Sequence, residues 1–338
     1  MTITDPASSK RSSDDPGPRF YKGAIAATDT LSVGDRQKTA QRLLRSTADR
    51  SYDGELDIDW DEPLAEGAPW VPEHRVTLHG TKYWDRLTDE QKATLNKHEA
   101  VAVLSYGIFA EVGLSTNLMR SLLRNPGLVD DHIRYALAEV AEESRHSTMF
   151  GRLIDKSGVA PYRQPKRLVK GLRLIGFFPM GPSAYAGTLL IEEVLDRLQR
   201  EGMMDETLQP HFRQLMKIHI LEEARHITYA REELVRSVRA RGRASNAAHR
   251  FAFALMLNFV QEAIINPKVY RSVGLRPLRG MIAARRSPQY KQNAQFMSGP
   301  LLEFLYEAGM IKGAFTTRLY KLSRAMPPEL AAKVEAGA

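Results

Sequence analysis

The chain has no cysteine among its 338 residues, and this absence removes several classes of chemistry. Disulfides, thiolate zinc sites and cysteine-ligated iron–sulfur clusters are excluded, so any metal must be held by oxygen and nitrogen ligands. The N-terminus, MTITDPASSKRSSDDPGPRF, lacks the apolar stretch of a secretory signal. No uninterrupted apolar run reaches the ~20 residues of a membrane span. Together these absences predict a cytoplasmic protein that does not cross a membrane.

Acidic residues are outnumbered by basic ones, which gives a formal net charge of +8 and a pI near 9.5. Much of the positive charge lies in residues 236–243 and 271–291. We find no nucleic-acid motif, and the arginines are not interleaved with aromatic residues that could stack on bases. We therefore interpret these stretches as solvated helix ends and loops, with no nucleic-acid partner. Docking of an acidic electron donor or carrier protein is the alternative.

The alternating pattern of half-buried strands is also absent, and helical periodicity dominates from residue 88 onward. The pattern predicts an all-α fold, a ferritin-like four-helix bundle with accessory helices. The long helices are predicted from Thr88 to the stop at Asn125-Pro126-Gly127, from 128–131 to Gly158, from Ser183 to Gly202, and from Asp205 to about 238. Residues 158–182 are predicted to be a linker, and shorter helices are expected at 245–265, 279–286, 298–308 and 314–325.

The N-terminal third is less regular. Residues 1–35 are rich in Ser, Asp, Pro and Lys without periodicity, which predicts a disordered segment. We expect residues 36–338 to form a single ferritin-like domain. Within it, a short helix around QKTAQRLLRSTAD precedes an irregular segment, DWDEPLAEGAPWVPEH, that should wrap over the bundle.

A repeated phrase carries the chemistry. VAEESRHS at 140–147 and ILEEARHI at 220–227 each contain Glu-x-x-His, which gives Glu143 with His146 and Glu223 with His226. Residues three apart share one helix face, so a carboxylate and an imidazole can reach one metal ion. A single such pair is usually an exposed polar pair, but two copies in matched context favour a metal site.

Two further glutamates stand in apolar stretches, Glu111 in LSYGIFAEVGL and Glu192 in AGTLLIEEVL. Glu111 lies 32 residues before Glu143, and Glu192 lies 31 residues before Glu223. A twice-repeated Glu … Glu-x-x-His is the pattern of a carboxylate-bridged di-iron four-helix bundle, because bridging carboxylates offset the charge of two iron ions. His219, four residues before Glu223, is a candidate third imidazole.

Spacing leaves some assignments open. Glu142 and Glu222 lie four residues from their histidines and are within reach as well. Glu139 stands where His219 stands in the other copy, and we interpret it as a surface residue or an outer partner of a ligand. Arg145 and Arg225 are expected to form ion pairs with Glu142 and Glu222.

The motif resembles that of the bacterial arylamine N-oxygenases, the family of the p-aminobenzoate N-oxygenase of aureothin biosynthesis and the arylamine oxygenase of chloramphenicol biosynthesis. Its extra histidine is specific, because ordinary ferritin-like proteins and desaturases lack it. The likeness covers roughly residues 90–325 in helical layout, although the ligand motifs carry most of its weight. The resemblance selects Glu143 and Glu223 from the doublets. The full ligand set that it implies is Glu111, Glu143, His146, Glu192, His219, Glu223 and His226.

The resemblance implies two iron ions, O2 as co-substrate, an external electron donor and a homodimer. The implied reaction oxidises an aromatic amine to the nitro compound through hydroxylamine and nitroso stages. A family enzyme acting on p-aminobenzoate should hold the substrate carboxylate with a late-helix arginine, yet FMSGPLLEFLYEAGM (296–310) has no basic residue. A bulkier neutral arylamine of the chloramphenicol type, in antibiotic biosynthesis, is therefore the expected substrate. Candidate pocket residues are Tyr106, Phe109, Leu198 and Gly202.

Other functions fit the same helices. A di-iron hydroxylase or desaturase acting on an alkyl or acyl substrate needs the same bundle, and only His219 and the pocket argue against it. An iron store or ferroxidase would leave residues 228–338 unexplained. A basic nucleic-acid binder would make the Glu/His pairs incidental.

Overall fold

A computed structural model of the chain describes residues 31–124, 129–173 and 178–336. Most of the predicted disordered segment, 1–35, lies outside the described residues, as does the predicted helix stop at Asn125-Pro126-Gly127. The described part is all-helical, which confirms the predicted fold class. Its α-helices are α1 (Arg36–Asp49), α2 (Asp89–Leu123), α3 (Asp131–Ser157), α4 (Lys166–Arg173), α5 (Pro182–Met204), α6 (Pro210–Arg239), α7 (Arg243–Ala263), α8 (Pro277–Arg286), α9 (Pro288–Glu307), α10 (Ala314–Leu322) and α11 (Pro328–Ala336).

Helices α2, α3, α5 and α6 form the four-helix bundle. Helix α2 packs along α3 and α5 packs along α6, while contacts between α3 and α6 and between α2 and α5 join the two pairs. Their ends follow ordinary capping rules. Thr88 forms a capping box with Gln91 at the start of α2. Helix α3 ends at Gly158, whose φ of 69° is left-handed and therefore suits glycine.

Helix α2 has the length and mean hydropathy of a membrane span, but 61% of its most apolar window is buried inside the protein. This burial is that of a core helix in a bundle, and length and composition alone are weak evidence for a span. A stretch that is apolar on most sides is needed here because α2 packs against α3, α5 and the 3-10 helix Pro267–Val273.

Three accessory helices differ from the sequence-based expectation. The predicted linker 158–182 contains α4, a short amphipathic helix. Helix α9 begins ten residues earlier than predicted, because Ser287 caps it and Pro288 occupies its first turn, where proline is favoured. Helix α11 was not predicted at all. Helices α7, α9, α10 and α11 pack their apolar faces on the α5–α6 side of the bundle, whereas Leu168 of α4 lies in an apolar cluster with Tyr106 and Ala110 of α2 and Ala263 of α7.

The segment between α1 and α2 carries only the 3-10 helices Glu73–Arg75 and Trp84–Arg86. Trp60 and Trp70 are buried in one cluster with side chains of α2, α3 and α6. Hydrogen bonds also attach this segment to the bundle, since Asn96 of α2 accepts hydrogen bonds from the backbone N–H groups of Trp70 and Val71. The segment therefore lies over the bundle along one side.

Candidate metal centre

The seven predicted ligands lie together inside the bundle, joined by Glu139. They form two groups of four, and within each group the potential ligand atoms lie within 4.8 Å of one another. All eight side chains are buried. The first group is Glu111, His146, His219 and Glu223, and the second is Glu139, Glu143, Glu192 and His226.

Glu143 and Glu223 lie between the groups. Glu143 places Oε2 3.2 Å from Nδ1 of His146 and Oε1 2.8 Å from Nδ1 of His226. Glu223 places Oε1 3.2 Å from Nδ1 of His146 and Oε2 3.3 Å from Nδ1 of His226. Each carboxylate thus directs one oxygen toward each imidazole, which is the arrangement that a carboxylate bridging two ions requires.

The far nitrogens of these two histidines are fixed across the α3–α6 contact. His146 Nε2 lies 2.9 Å from Glu222 Oε2, and His226 Nε2 lies 2.8 Å from Glu142 Oε2. The imidazole N–H donates to the carboxylate in each pair, which leaves Nδ1 free to face a metal. The doublets are thereby separated, since Glu142 and Glu222 contact the backs of the histidines and Glu143 and Glu223 lie between the rings.

The two arginines of the repeat form ion pairs with Glu142 and Glu222. Arg225 donates to Glu142 at 2.5 Å and lies 3.8 Å from Glu222. Arg145 lies 3.8 Å from Glu142 and 3.6 Å from Glu222. These ion pairs agree with the sequence-based expectation. The contacts of Glu142 with His226 and of Glu222 with His146 were not predicted. The repetition of the whole phrase Glu-Glu-x-Arg-His was the signal that could have indicated them.

His219 occupies the first group beside His146, with ring centroids 4.4 Å apart. Its Nε2 lies 3.4 Å from Glu111 Oε1 and 3.3 Å from Glu223 Oε1. Its Nδ1 is 2.8 Å from Gln199 Oε1, an acceptor that holds the proton on Nδ1 and leaves Nε2 toward the centre. Gln199 of α5 had no distinguishing feature in the sequence.

Glu139 corrects an expectation. It is not a surface residue, because none of it is exposed. Neither of its carboxylate oxygens has a hydrogen-bond partner, and the same holds for both oxygens of Glu192. Buried carboxylates without donors are costly, so these oxygens fit a bound cation.

The electrostatics of the centre follow from burial and crowding. Burial, followed by repulsion from Glu143, raises the pKa of Glu111 well above its usual range. Burial and repulsion from Glu223 do the same to the pKa of Glu192. Burial also lowers the pKa of His219 to about 4, so its imidazole is neutral and able to ligate. Bound cations would offset the concentrated negative charge that raises the carboxyl pKa values.

A cavity of about 90 Å³ lies between α2, α5 and α9. Leu198 lines it, whereas Tyr106 and Phe109 belong to an adjoining apolar cluster that shares Ile264 with the lining. Among the described residues, Gly202 is not part of the lining, and a Cβ there would face Leu208 and Phe212 instead. Sequence reasoning missed Arg75 and Glu99, because both reach the cavity from outside the ligand motifs.

A helical bundle whose centre holds two buried groups of carboxylates and imidazoles is typical of the class of carboxylate-bridged dinuclear metal proteins. A family model described as p-aminobenzoate N-oxygenase AurF matches residues 33–309, and the chain belongs to this family. The family resemblance drawn from the motif is thereby confirmed.

Relatives and solved structures also match parts of this chain. Uncharacterized proteins of Mycobacterium bovis and Mycobacterium tuberculosis are 27% identical over 199 residues, 57% of this chain and 58% of theirs. The match thus spans less than two thirds of these relatives. Two variants of an R2-like ligand-binding oxidase with a reconstituted Mn/Fe cofactor match at 12% identity with TM-scores of 0.43 and 0.44. These matches cover 86% of this chain and 93% and 92% of those chains.

Proposed function

We propose that the protein is a di-iron, O2-dependent N-oxygenase that converts an aromatic amine to the nitro compound through hydroxylamine and nitroso stages. The observation that carries the proposal is the paired carboxylate–imidazole centre with His219, in a chain of this family. We assign the iron ligands as Glu111, Glu143, His146, Glu192, His219, Glu223 and His226.

The side chains have distinct tasks in this proposal. Glu143 and Glu223 would help to hold both ions, because each directs its oxygens to both histidines. Glu142, Glu222 and Gln199 keep the imidazoles in the ligating tautomer. Iron bound here would supply the site for O2 and the change of oxidation state. The buried bundle keeps bulk water away from the reacting atoms.

The cavity is the proposed amine site. Leu195 lies one helical turn beyond Glu192 on α5, and Val103 lies about 12 Å along α2 from Glu111 at 1.5 Å per residue. The lining nearest the centre is therefore aliphatic. A flat aromatic ring fits such walls, and its amino group would point toward the ligand turns.

The polar end of the cavity favours a neutral arylamine. Arg75 lines it, although residues 296–310 supply no basic side chain. Its guanidinium is held by Glu201, with Nε 2.6 Å from Oε2 and an amino nitrogen 3.2 Å from Oε1, and donates to Asn293 at 2.7 Å. Because Glu201 compensates its charge, Arg75 does not offer an uncompensated cation to a substrate carboxylate. A chloramphenicol-type arylamine precursor, oxidised in the cytoplasm during antibiotic biosynthesis, is the proposed substrate.

The electron count requires a partner. Oxidising an amine to a nitro group removes six electrons and adds two oxygen atoms, while reducing two O2 to two nitro oxygens and two waters takes up eight. An external donor must supply the remaining two electrons for each nitro product. We propose such a donor as a partner, and a homodimer as the assembly.

The test is a product assay. Iron-loaded, chemically reduced protein is mixed with O2 and para-substituted anilines with and without a carboxylate, and products are identified by mass spectrometry. We expect nitro compounds from the bulky neutral amines, and none from Glu143→Ala or His219→Ala. Glu206→Gln, an exposed change, should behave as the unaltered protein. Two bound irons with no amine oxidised would refute the substrate class.

A hydroxylase or desaturase acting on an alkyl or acyl substrate is the second candidate. The aliphatic walls formed by Val103, Leu195, Leu198 and Ile264 favour it, because an alkyl chain would also pack there. The same assay with acyl substrates distinguishes the two, since hydroxylated or unsaturated acyl products would replace nitro compounds.

A further inference from the structure

Glu139 is a buried carboxylate that the seven-ligand assignment does not use. It lies on α3 one helical turn before Glu143 and is not exposed at all. Its two oxygens have no hydrogen-bond partner, although one of them lies within 4.8 Å of ligand atoms of Glu143, Glu192 and His226. A buried carboxylate is stable when it is hydrogen-bonded or bound to a cation. The neighbours that face it are themselves potential ligands.

The helical register explains why Glu139 is there. Glu139 precedes the bridging Glu143 by four residues on α3, and His219 precedes the bridging Glu223 by four residues on α6. The two helices therefore present equivalent positions to the centre, on opposite sides of the bridging pair. His219 belongs to the first group and Glu139 to the second. The two halves of the centre match in geometry and differ in this one donor.

We propose that Glu139 is an eighth metal ligand and that it makes the two ion positions chemically different. The first position is formed by Glu111, His146 and His219, and the second by Glu139, Glu192 and His226, with Glu143 and Glu223 shared. The inference rests on the dinuclear centre of the proposed function and is independent of the substrate.

The difference has a consequence for metal preference. Imidazole nitrogen suits Fe2+, whereas carboxylate oxygen suits harder ions such as Mn2+. The second position has one imidazole and an extra carboxylate, so it discriminates less against Mn2+ than the first. Mixed loading should therefore place Mn2+ at the second position and Fe2+ at the first.

Metal binding tests this without measuring turnover. The full-length protein is stripped of metal and titrated anaerobically with Mn2+ or Fe2+, and bound ions are counted by elemental analysis. Crystals of the loaded protein give the occupancy of each position from anomalous scattering at the Mn and Fe edges. The variants are Glu139→Ala, the isosteric Glu139→Gln, and His219→Ala as the matched change at the other position.

We expect unaltered protein to bind two ions, with an oxygen of Glu139 bonded to the ion beside Glu192 and His226. Both Glu139 variants should lower the affinity for that ion by at least about tenfold and leave the affinity for the other ion unchanged. His219→Ala should lower the affinity for the other ion instead. Two ions bound with unaltered affinity in Glu139→Gln, or a loaded crystal in which Glu139 contacts no ion, would overturn the inference. A Glu139-ligated centre that oxidises no arylamine would refute the proposed substrate instead.

Discussion

At the scale of single residues, substrate charge preference depends on the pair formed by Arg75 and Glu201. The bidentate contact keeps the guanidinium compensated while it lines the cavity. Replacing Glu201 by Gln removes the compensating charge and keeps the size of the side chain. We expect kcat/KM for anilines bearing a carboxylate to rise about tenfold relative to neutral anilines, as about 1.4 kcal/mol of new charge pairing would give.

The control is Glu206→Gln, which removes a negative charge nearby in sequence from an exposed position. It should leave the ratio of the two kcat/KM values unchanged. An unchanged ratio in Glu201→Gln as well would show that Arg75 does not face the substrate.

Glu99 gives a prediction about pH. Burial raises its pKa to about 7, against the opposing hydrogen bonds from the backbone and hydroxyl of Thr77. The folded protein therefore keeps this proton up to about pH 7, whereas the unfolded chain loses it near the usual glutamate pKa. Its stabilising contribution is full below that usual pKa and is lost as pH rises toward 7.

We expect Glu99→Gln to remove this dependence. The melting temperature of the variant minus that of the unaltered protein should therefore increase as the pH is raised from 5 to 8. Thermal unfolding followed by circular dichroism across that range measures the difference. Glu90→Gln, exposed on the same helix, should keep the original pH profile. Parallel profiles for Glu99→Gln and the unaltered protein would contradict the prediction.

Sequence reasoning identified residues where periodicity constrains them. Glu-x-x-His fixes two side chains on one face, so a carboxylate beside His146 could be expected without coordinates, and the family resemblance selected Glu143 over Glu142. Gln199 and Arg75 could not, because their positions depend on how α5 and the N-terminal segment pack. Glu139 had the correct register, but only the packing of the helices shows that its turn of α3 lies within reach of the centre.

At the scale of helices, the close approach of α2 to α3 at Gly107 positions part of the centre. A Cβ there would lie 2.9 Å from Phe150, whose ring is 5.1 Å from that of His219. Gly107→Ala gains up to about 1 kcal/mol of helix propensity. The overpacking costs about 1–3 kcal/mol, so the net effect should be destabilising.

The urea midpoint of Gly107→Ala should therefore fall, and Phe150→Leu in the same chain should restore part of the loss. A midpoint above that of the unaltered protein would mean that Phe150 moves aside without cost.

The hydrogen bonds that cross between α3 and α6 yield a separate prediction. Glu222→Gln keeps an acceptor for His146 Nε2 but removes the charge that strengthens the bond. We expect metal affinity to fall about 10–100-fold, measured by competition with a chelator of known affinity. Lys217→Gln, exposed on the same helix, should change it little. Equal affinities in both variants would show that the contact does not orient the ligand.

The bundle helices were predictable because their apolar stripes and caps repeat locally, as Thr88 and Gly158 illustrate. Helix α9 was predicted too short, although Ser287 and Pro288 carried the start signal. Pro300 inside that helix favoured a break that packing overrides. The contacts between helices lie beyond any local pattern.

At the scale of the whole molecule, the charge buried at the bundle centre couples metal loading to folding. Because the ligands are assembled only in the folded chain, an ion present at a hundred times its Kd adds about 2.7 kcal/mol per site. We expect the melting temperature to rise by several degrees on anaerobic addition of Fe2+ and to fall again with chelator. Glu143→Ala should show a much smaller rise. A melting temperature indifferent to metal would argue against a site at the centre.

The crossed contacts of Glu142 with His226 and of Glu222 with His146 have one more consequence. Each helix orients the ligand of the other, so neither α2–α3 nor α5–α6 contains a finished half of the centre. A chain cut between α3 and α5 would yield two fragments that each lack the means to hold an imidazole in place. Metal uptake on mixing such fragments would therefore report their correct reassociation. Binding of metal at the centre would occur only when the two helix pairs have docked.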